Sequence, residues 1–142
     1  MLNIEPITQK LMVEDALRIF PDECCGFFFG SEINDVRTIS EIQIVTNAKN
    51  GDKKQRYEIS AKDYLNAEQF AEEKNLLLLG VYHSHPDHPA IPSEVDRLAA
   101  QPYFSYIIVS VTQDEILDIR SWRLNDISQF EEELINKESL II

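Results

Sequence analysis

The sequence predicts an α/β fold, a single domain built on a central mixed β-sheet flanked by helices. Three observations predict it. Short apolar runs of strand length alternate with segments whose apolar residues recur at helical spacing. The longest apolar run, Leu76 to Tyr82 (LLLLGVY), is bounded by a polar turn and reads as a buried strand. The 142 residues (1–142 taken as one domain) are enough to bury one core. Strands and helices mixed in this order pack as helices on the faces of a sheet.

Taken in order, Thr8 is a candidate cap for a first helix in which Val13, Ala16, Leu17 and Phe20 share a side, and Pro21 ends it. Cys25 to Phe29 (CGFFF), closed by Gly30, and the β-branched Val36 to Val45 read as strands. Asn47 to Lys54 (NAKNGDKK) is a polar loop, and Arg56 to Ile59 a short strand. Ser60-Ala61-Lys62-Asp63 has the form of a capping box. The helix it opens carries Tyr64, Ala67, Phe70 and Ala71 on one side, and Asn75 closes it. After the Leu76–Tyr82 strand come a loop and a helix starting near Ser93. Tyr106 to Val111 and Ile116 to Leu124 read as strands joined by the turn Thr112-Gln113-Asp114-Glu115. Asp126 to Lys137 reads as a last helix, with Phe130 and Leu134 on one side.

Composition narrows the function. Hydrophobic residues make up 44% and charged residues 27%, as in ordinary globular domains. The net charge of −12 argues against non-specific nucleic-acid binding, which needs basic surface, and against an anionic membrane as partner. The opening MLNIEPITQK lacks the basic and apolar regions of a signal peptide. No stretch approaches the roughly 20 apolar residues that span a bilayer. The two cysteines, Cys24 and Cys25, are adjacent, which excludes a disulfide scaffold and fits a reducing cytoplasm. Neither has a basic neighbour in sequence to lower its pKa, so both are expected in the core or lining a site.

Chemistry concentrates after the apolar strand, in His83-Ser84-His85-Pro86 and Ser93-Glu94-Val95-Asp96. Residues two apart on an extended chain point the same way, so His83 and His85 can aim at one point just past the strand end. With Asp96 they have the makings of a three-ligand zinc site that leaves a fourth position to water. Spacing alone leaves two readings open: metal ligands, or polar residues at a turn. Asp96 also completes a capping box with Ser93, and that reading is compatible with metal binding. His88 is a loop residue, a substrate contact or a fourth ligand. Metal-assisted hydrolysis needs a base near the bound water, and spacing does not select which of the 25 acidic residues supplies it.

The residues resemble the JAMM (MPN+) metalloenzymes, most closely their short bacterial form. The family pattern is a distant Glu, then His-x-His-Pro, six residues, then Ser-x-x-Asp. Glu23, His83-Ser84-His85-Pro86, DHPAIP and Ser93-Glu94-Val95-Asp96 fill every position. Pro21-x-Glu23-x-Cys25-Gly26 is similar to the family's N-terminal signature and singles out Glu23. Asn47, Arg56-Tyr57-Glu58-Ile59, Gly80-Val81-Tyr82 and Ile119–Leu124 also resemble bacterial members, so the likeness covers nearly the whole chain.

The resemblance implies a cytidine-deaminase-like fold and one Zn2+ per chain, held by His83, His85 and Asp96. It further implies Glu23 as general base and acid, Ser93 as oxyanion donor, and cleavage of peptide or isopeptide bonds at the tails of ubiquitin-like proteins. For bacterial members the implied partner is a β-grasp sulfur-carrier protein ending in Gly-Gly, from which cysteine or a short extension is released. The chain lacks room for the long insertions with which deubiquitinases grip a second ubiquitin. Two rival readings are a catalytically inactive MPN interaction scaffold and a RadC-like, DNA-associated JAMM protein. The retained ligands count against the first and the acidic balance against the second. The sequence is silent on oligomeric state.

Overall fold

The computed structural model describes residues 1–136. In chain order the elements are β1 (Leu2–Ile4), α1 (Pro6–Ile19), β2 (Cys25–Ile33), β3 (Val36–Val45), α2 (Ala61–Lys74), β4 (Leu77–Pro86), α3 (Glu94–Ala99), β5 (Ser105–Val111), β6 (Ile116–Leu124) and β7 (Phe130–Glu133). The strands form one mixed sheet in the order β1-β3-β2-β4-β5-β6-β7. The β1–β3 and β4–β5 pairs are parallel and the others antiparallel. This is the α/β architecture that the sequence predicts.

Alternation along the strands divides the core into two layers. Phe28 and Tyr82 pack with Met12 and Ala16 of α1 on one face, while Phe27, Phe29 and Val81 pack with Ala67 and Ala71 of α2 on the other. Tyr82 also donates its hydroxyl to the buried Asp15 carboxylate of α1 at 2.8 Å. The strands approach closely where β4 carries Gly80, since a Cβ there would run into the Ser105 carbonyl and the Phe28 ring. The β2–β3 hairpin turns on Asn34 and Asp35, both at positive φ (51° and 64°), residue types that tolerate this conformation.

Several expectations need correction. The first helix starts at Pro6 rather than under a Thr8 cap; proline lacks the N–H that has no partner at a helix start, and Thr8 is buried inside the first turn. Leu2–Ile4 is a strand too short to show alternation in sequence, held by its parallel register on β3. Arg56 to Ile59 joins no sheet: the Arg56 carbonyl and Glu58 N–H bond to the Asn47 side chain instead. The final helix is replaced by β7, antiparallel to β6. There the Asn125 carboxamide accepts from Ile127 N and Gln129 N, which turns the chain back so that Phe130 packs edge-on against Tyr106. Packing against a partner strand thus overrides the helical spacing of Phe130 and Leu134. Lys137, the expected end of that helix, lies outside the described residues.

The predicted ends of α2 hold. Ser60 Oγ accepts from Asp63 N at 3.1 Å, one half of the expected capping box, and Asn75 closes the helix in the left-handed conformation. Among the described residues, no helix is long and apolar enough to cross a membrane.

Candidate metal centre and active site

The apolar strand continues further than its composition suggests. β4 runs to Pro86, so His83 and His85 sit on the strand itself, registered against Ile108 and Ser110 of β5. Both are buried and project from the same face as Val81. Ser84 between them faces the other way. Its Oγ accepts from Cys24 N at 2.8 Å and its N–H donates to the Cys24 carbonyl at 3.2 Å. The residue between the two histidines thereby fastens the segment that carries Glu23.

Three side-chain atoms converge. His83 Nε2 lies 3.1 Å from His85 Nε2, and Asp96 Oδ2 lies 3.4 Å from the first and 3.2 Å from the second. His85 gives its Nδ1–H to the Pro89 carbonyl at 2.7 Å, which leaves a lone pair on Nε2 of the neutral ring. Burial lowers the His83 pKa against the opposing pull of Asp96, which favours its neutral ring too. Burial by itself would raise the Asp96 pKa. In the form where protons rather than a cation sit among these atoms, the His83 charge, N–H bonds from both histidines and the Ser93 N–H outweigh it and hold Asp96 well below the usual carboxylate range.

These donors fit zinc. With zinc–ligand distances of about 2.0–2.2 Å, two corners of a tetrahedron stand about 3.3–3.6 Å apart, close to the observed triangle. The set of two imidazoles and one carboxylate is the kind that catalytic zinc sites use. The buried His83 Nδ1 has no hydrogen-bond partner among the described residues, so Nε2 is the ring atom with polar company. The Tyr57 ring stacks on His83 at 4.4 Å, and the His88 ring on His85 at 4.1 Å.

Asp96 performs the second task that its sequence context suggested. It is the third residue of α3, and its Oδ2 accepts from Ser93 N at 2.9 Å while Ser93 Oγ accepts from Asp96 N at 3.1 Å. Capping and convergence on the histidines use the same carboxylate oxygen.

Glu23 and Ser93 meet in a cleft of about 520 Å3 that is also lined by Lys54, Gln55, Arg56, His85 and His88. The Glu23 residue is 2% exposed, and ligand atoms of Glu23, His85 and His88 lie within 4.8 Å of one another. Burial and the Asp96 carboxylate push the Glu23 pKa up to about 8; Arg56 pulls it down and Asp52 adds a smaller rise. A cation among the three donors would offset the Asp96 contribution. A carboxyl placed so can hold or release a proton near neutral pH.

The structure therefore brings together His83, His85 and Asp96, sets Glu23 and Ser93 in the adjoining cleft, and places the exposed His88 at its rim. Its Nδ1 lies 2.8 Å from the Pro86 carbonyl. Two contributors were not assigned roles from sequence. Tyr57 covers His83, and the Asn47 carboxamide ties the Glu23 carbonyl to the Arg56 carbonyl at 3.1 and 3.0 Å. An asparagine opening a polar loop was the only local signal for the latter. Cys24 and Cys25 are buried free thiols whose pKa values burial raises, consistent with packing rather than nucleophilic roles.

Comparison with known proteins agrees with this geometry. Residues 6–125 match the family described as prokaryotic homologs of the JAB domain. A CysO-cysteine peptidase from Mycobacterium tuberculosis is 33% identical over 116 residues, covering 81% of this chain and 77% of that protein. A desampylase from Pyrococcus furiosus is 34% identical over 74 residues, covering 52% of this chain and 49% of its own. The solution structure of a Desulfitobacterium hafniense protein superimposes with a TM-score of 0.83 at 25% identity, over 96% of this chain and 92% of that one. Family match, fold and a His/His/Asp site together show that the chain belongs to the prokaryotic JAB/MPN family and is a metallopeptidase of the JAMM type.

Proposed function

We propose that residues 1–142 form one cytoplasmic zinc peptidase that hydrolyses the bond following the C-terminal Gly-Gly tail of a β-grasp sulfur-carrier protein, releasing cysteine or a short extension. The observation that carries the reading is the triangle of His83 Nε2, His85 Nε2 and Asp96 Oδ2 beside Glu23 and Ser93. The CysO-cysteine peptidase likeness, which spans most of both chains, supports cysteine as the leaving group.

One zinc ion held by the three residues would act as a Lewis acid and lower the pKa of its water from ~15.7 towards ~7. Glu23 takes the proton from the attacking water as a C–O bond forms at the scissile carbonyl. It returns that proton to the nitrogen as the C–N bond breaks. One water is consumed, and the products are a carrier ending in a glycine carboxylate and a free amine. Ser93 Oγ already accepts from Asp96 N, so its own proton is free to be donated to the developing oxyanion. Such a contact is typically worth ~2.7–4 kcal/mol in the transition state. His88, exposed at the rim, contacts the substrate. The net charge of −12 supports protein rather than nucleic acid or an anionic membrane as the partner.

The test is to incubate the zinc-loaded protein with the Gly-Gly carriers of its own source, each extended by cysteine, and weigh the products. The expected product is the carrier shortened to Gly-Gly as a free acid. Intact carriers throughout, with zinc bound, would overturn the reading.

A further inference from the structure

Six arginines stand in this acidic chain, and five have a carboxylate partner. Arg18 pairs with Asp15, Arg37 with Glu32, Arg97 with Glu94, Arg120 with Asp118 and Arg123 with Glu133. Arg56 has none within 4.0 Å among the described residues, although the chain carries 25 acids to 13 bases. Of its five N–H donors, it spends one on the Gln55 carbonyl, at 2.9 Å. It is half-buried, and its backbone is held by Asn47. Lys54, exposed beside it in the same cleft, has no ion pair among the described residues either. An arginine left unpaired amid a surplus of acids, and fixed at the edge of a reaction centre, is suited to bidentate recognition of a carboxylate supplied from outside.

The chemistry of the site says which part of a substrate would meet it. Two hollows adjoin at Arg56. The first is the Glu23 cleft; the second, about 220 Å3, has apolar walls that include Tyr57, Ile59, Tyr64, Val95 and Tyr106. The group that returns a proton to the departing amine must lie on the leaving-group side of the broken bond. Glu23 and Lys54 line the first hollow and Arg56 lines both, so a leaving residue seated beside Glu23 would have both cations within the same cleft. A lone cysteine leaving group carries its α-carboxylate only two bonds beyond the scissile nitrogen. The acids lining that cleft are Glu23, engaged with the proton, and the exposed Asp87.

Resting on the carrier-peptidase reading above, we propose that Arg56 and Lys54 form a subsite for the free α-carboxylate of the residue being released. The enzyme then acts as a carboxypeptidase on Gly-Gly tails, favouring one terminal amino acid over a longer extension. Isopeptide-linked partners, whose leaving lysine lies within a chain, offer no carboxylate at this point.

The experiment compares one carrier ending in Gly-Gly-Cys as the free acid and as the primary amide, which has the same shape without the charge. With the zinc-loaded wild-type protein, kcat/KM on the acid should exceed that on the amide by at least about tenfold, since a charge-assisted pair is worth ~1.5–3 kcal/mol. This comparison needs no substitution, so folding defects do not enter. The Lys54→Gln, Arg56→Gln double variant should bring the acid-to-amide ratio down to about 1, and Arg56→Lys should retain part of it. Equal rates on acid and amide in the wild type, with the cut still after Gly-Gly, would overturn the subsite and leave the function standing. Failure to cut either form would overturn both.

Discussion

The Asn47 Nδ2 group donates to the main-chain carbonyl of Glu23 at 3.1 Å, and the same group reaches the Arg56 carbonyl at 3.0 Å. Asn47 Oδ1 accepts from Lys49 N and Glu58 N, so one side chain closes the loop on itself and on the segment bearing Glu23. Together with the Glu23 N–H bond to the Lys53 carbonyl, at 2.7 Å, it fixes the main chain of Glu23.

Asn47 is accordingly a positioning residue. Asn47→Ala should leave zinc content unchanged while lowering kcat by roughly 10- to 100-fold, the cost of a misplaced reacting group. Asn47→Asp, which keeps the acceptor but not the donor, should fall with it. A variant with full kcat would show that the loop holds Glu23 without this side chain.

The buried Glu23 makes a signed prediction for the metal-free protein. Its folded pKa of about 8 lies above its ordinary 4.5, so the folded state binds the extra proton between those values. The sign follows: stability is lost as pH rises from about 4.5 through about 8, and levels off above. Glu23→Gln removes that loss. In chelator, its stability advantage over wild type should therefore grow by a few kcal/mol between pH 5 and pH 9, read from urea midpoints. A difference independent of pH would contradict the placement of Glu23. In the zinc-loaded enzyme the same variant should keep its metal and lose ~10²–10⁴-fold in turnover.

Asp96 serves as both cap and candidate ligand, and the two roles separate by substitution. Asp96→Asn retains an oxygen that can accept from Ser93 N but lacks the charge. The metal-free variant should stay within about 1 kcal/mol of wild type, the scale of a cap. Added zinc should raise the wild-type melting temperature by mass action and leave that of the variant nearly unmoved. Equal shifts in both would remove Asp96 from the ligand set.

Protons compete with metal for imidazole nitrogen, so activity should fall as pH drops through the histidine range and return when zinc is restored at neutral pH. Prolonged treatment with a strong chelator should abolish activity. Full activity after such treatment would contradict the metal dependence.

The sheet's central strands were legible because Leu76–Tyr82, Val36–Val45 and Tyr106–Val111 are apolar or β-branched runs whose burial no other element offers. The ends of the sheet were not. Leu2–Ile4 is too short to display a period, and Phe130–Glu133 mimics a helical spacing until the Asn125 turn presses it onto Ser121–Leu124. At the site, the strand period brought His83 and His85 together, and the Ser93–Asp96 box placed the carboxylate. Glu23 was out of reach of spacing and came from the family resemblance. It is delivered across 60 residues by the bonds between Cys24 and Ser84, a contact that local sequence does not encode. Tyr57, in a segment read as a strand, reaches His83 because its neighbours bond to Asn47 rather than to a sheet edge.

Anomalous diffraction at the zinc edge, from crystals of the zinc-loaded protein, tests the metal assignment most directly. One peak is expected, about 2.0–2.2 Å from His83 Nε2, His85 Nε2 and Asp96 Oδ2 together, with Glu23 outside bonding distance. His85 belongs to a second convergent group with Glu23 and His88, so the alternative is well defined. A peak ligated by Glu23, His85 and His88, with none at the first site, would contradict the assignment of ligands and base.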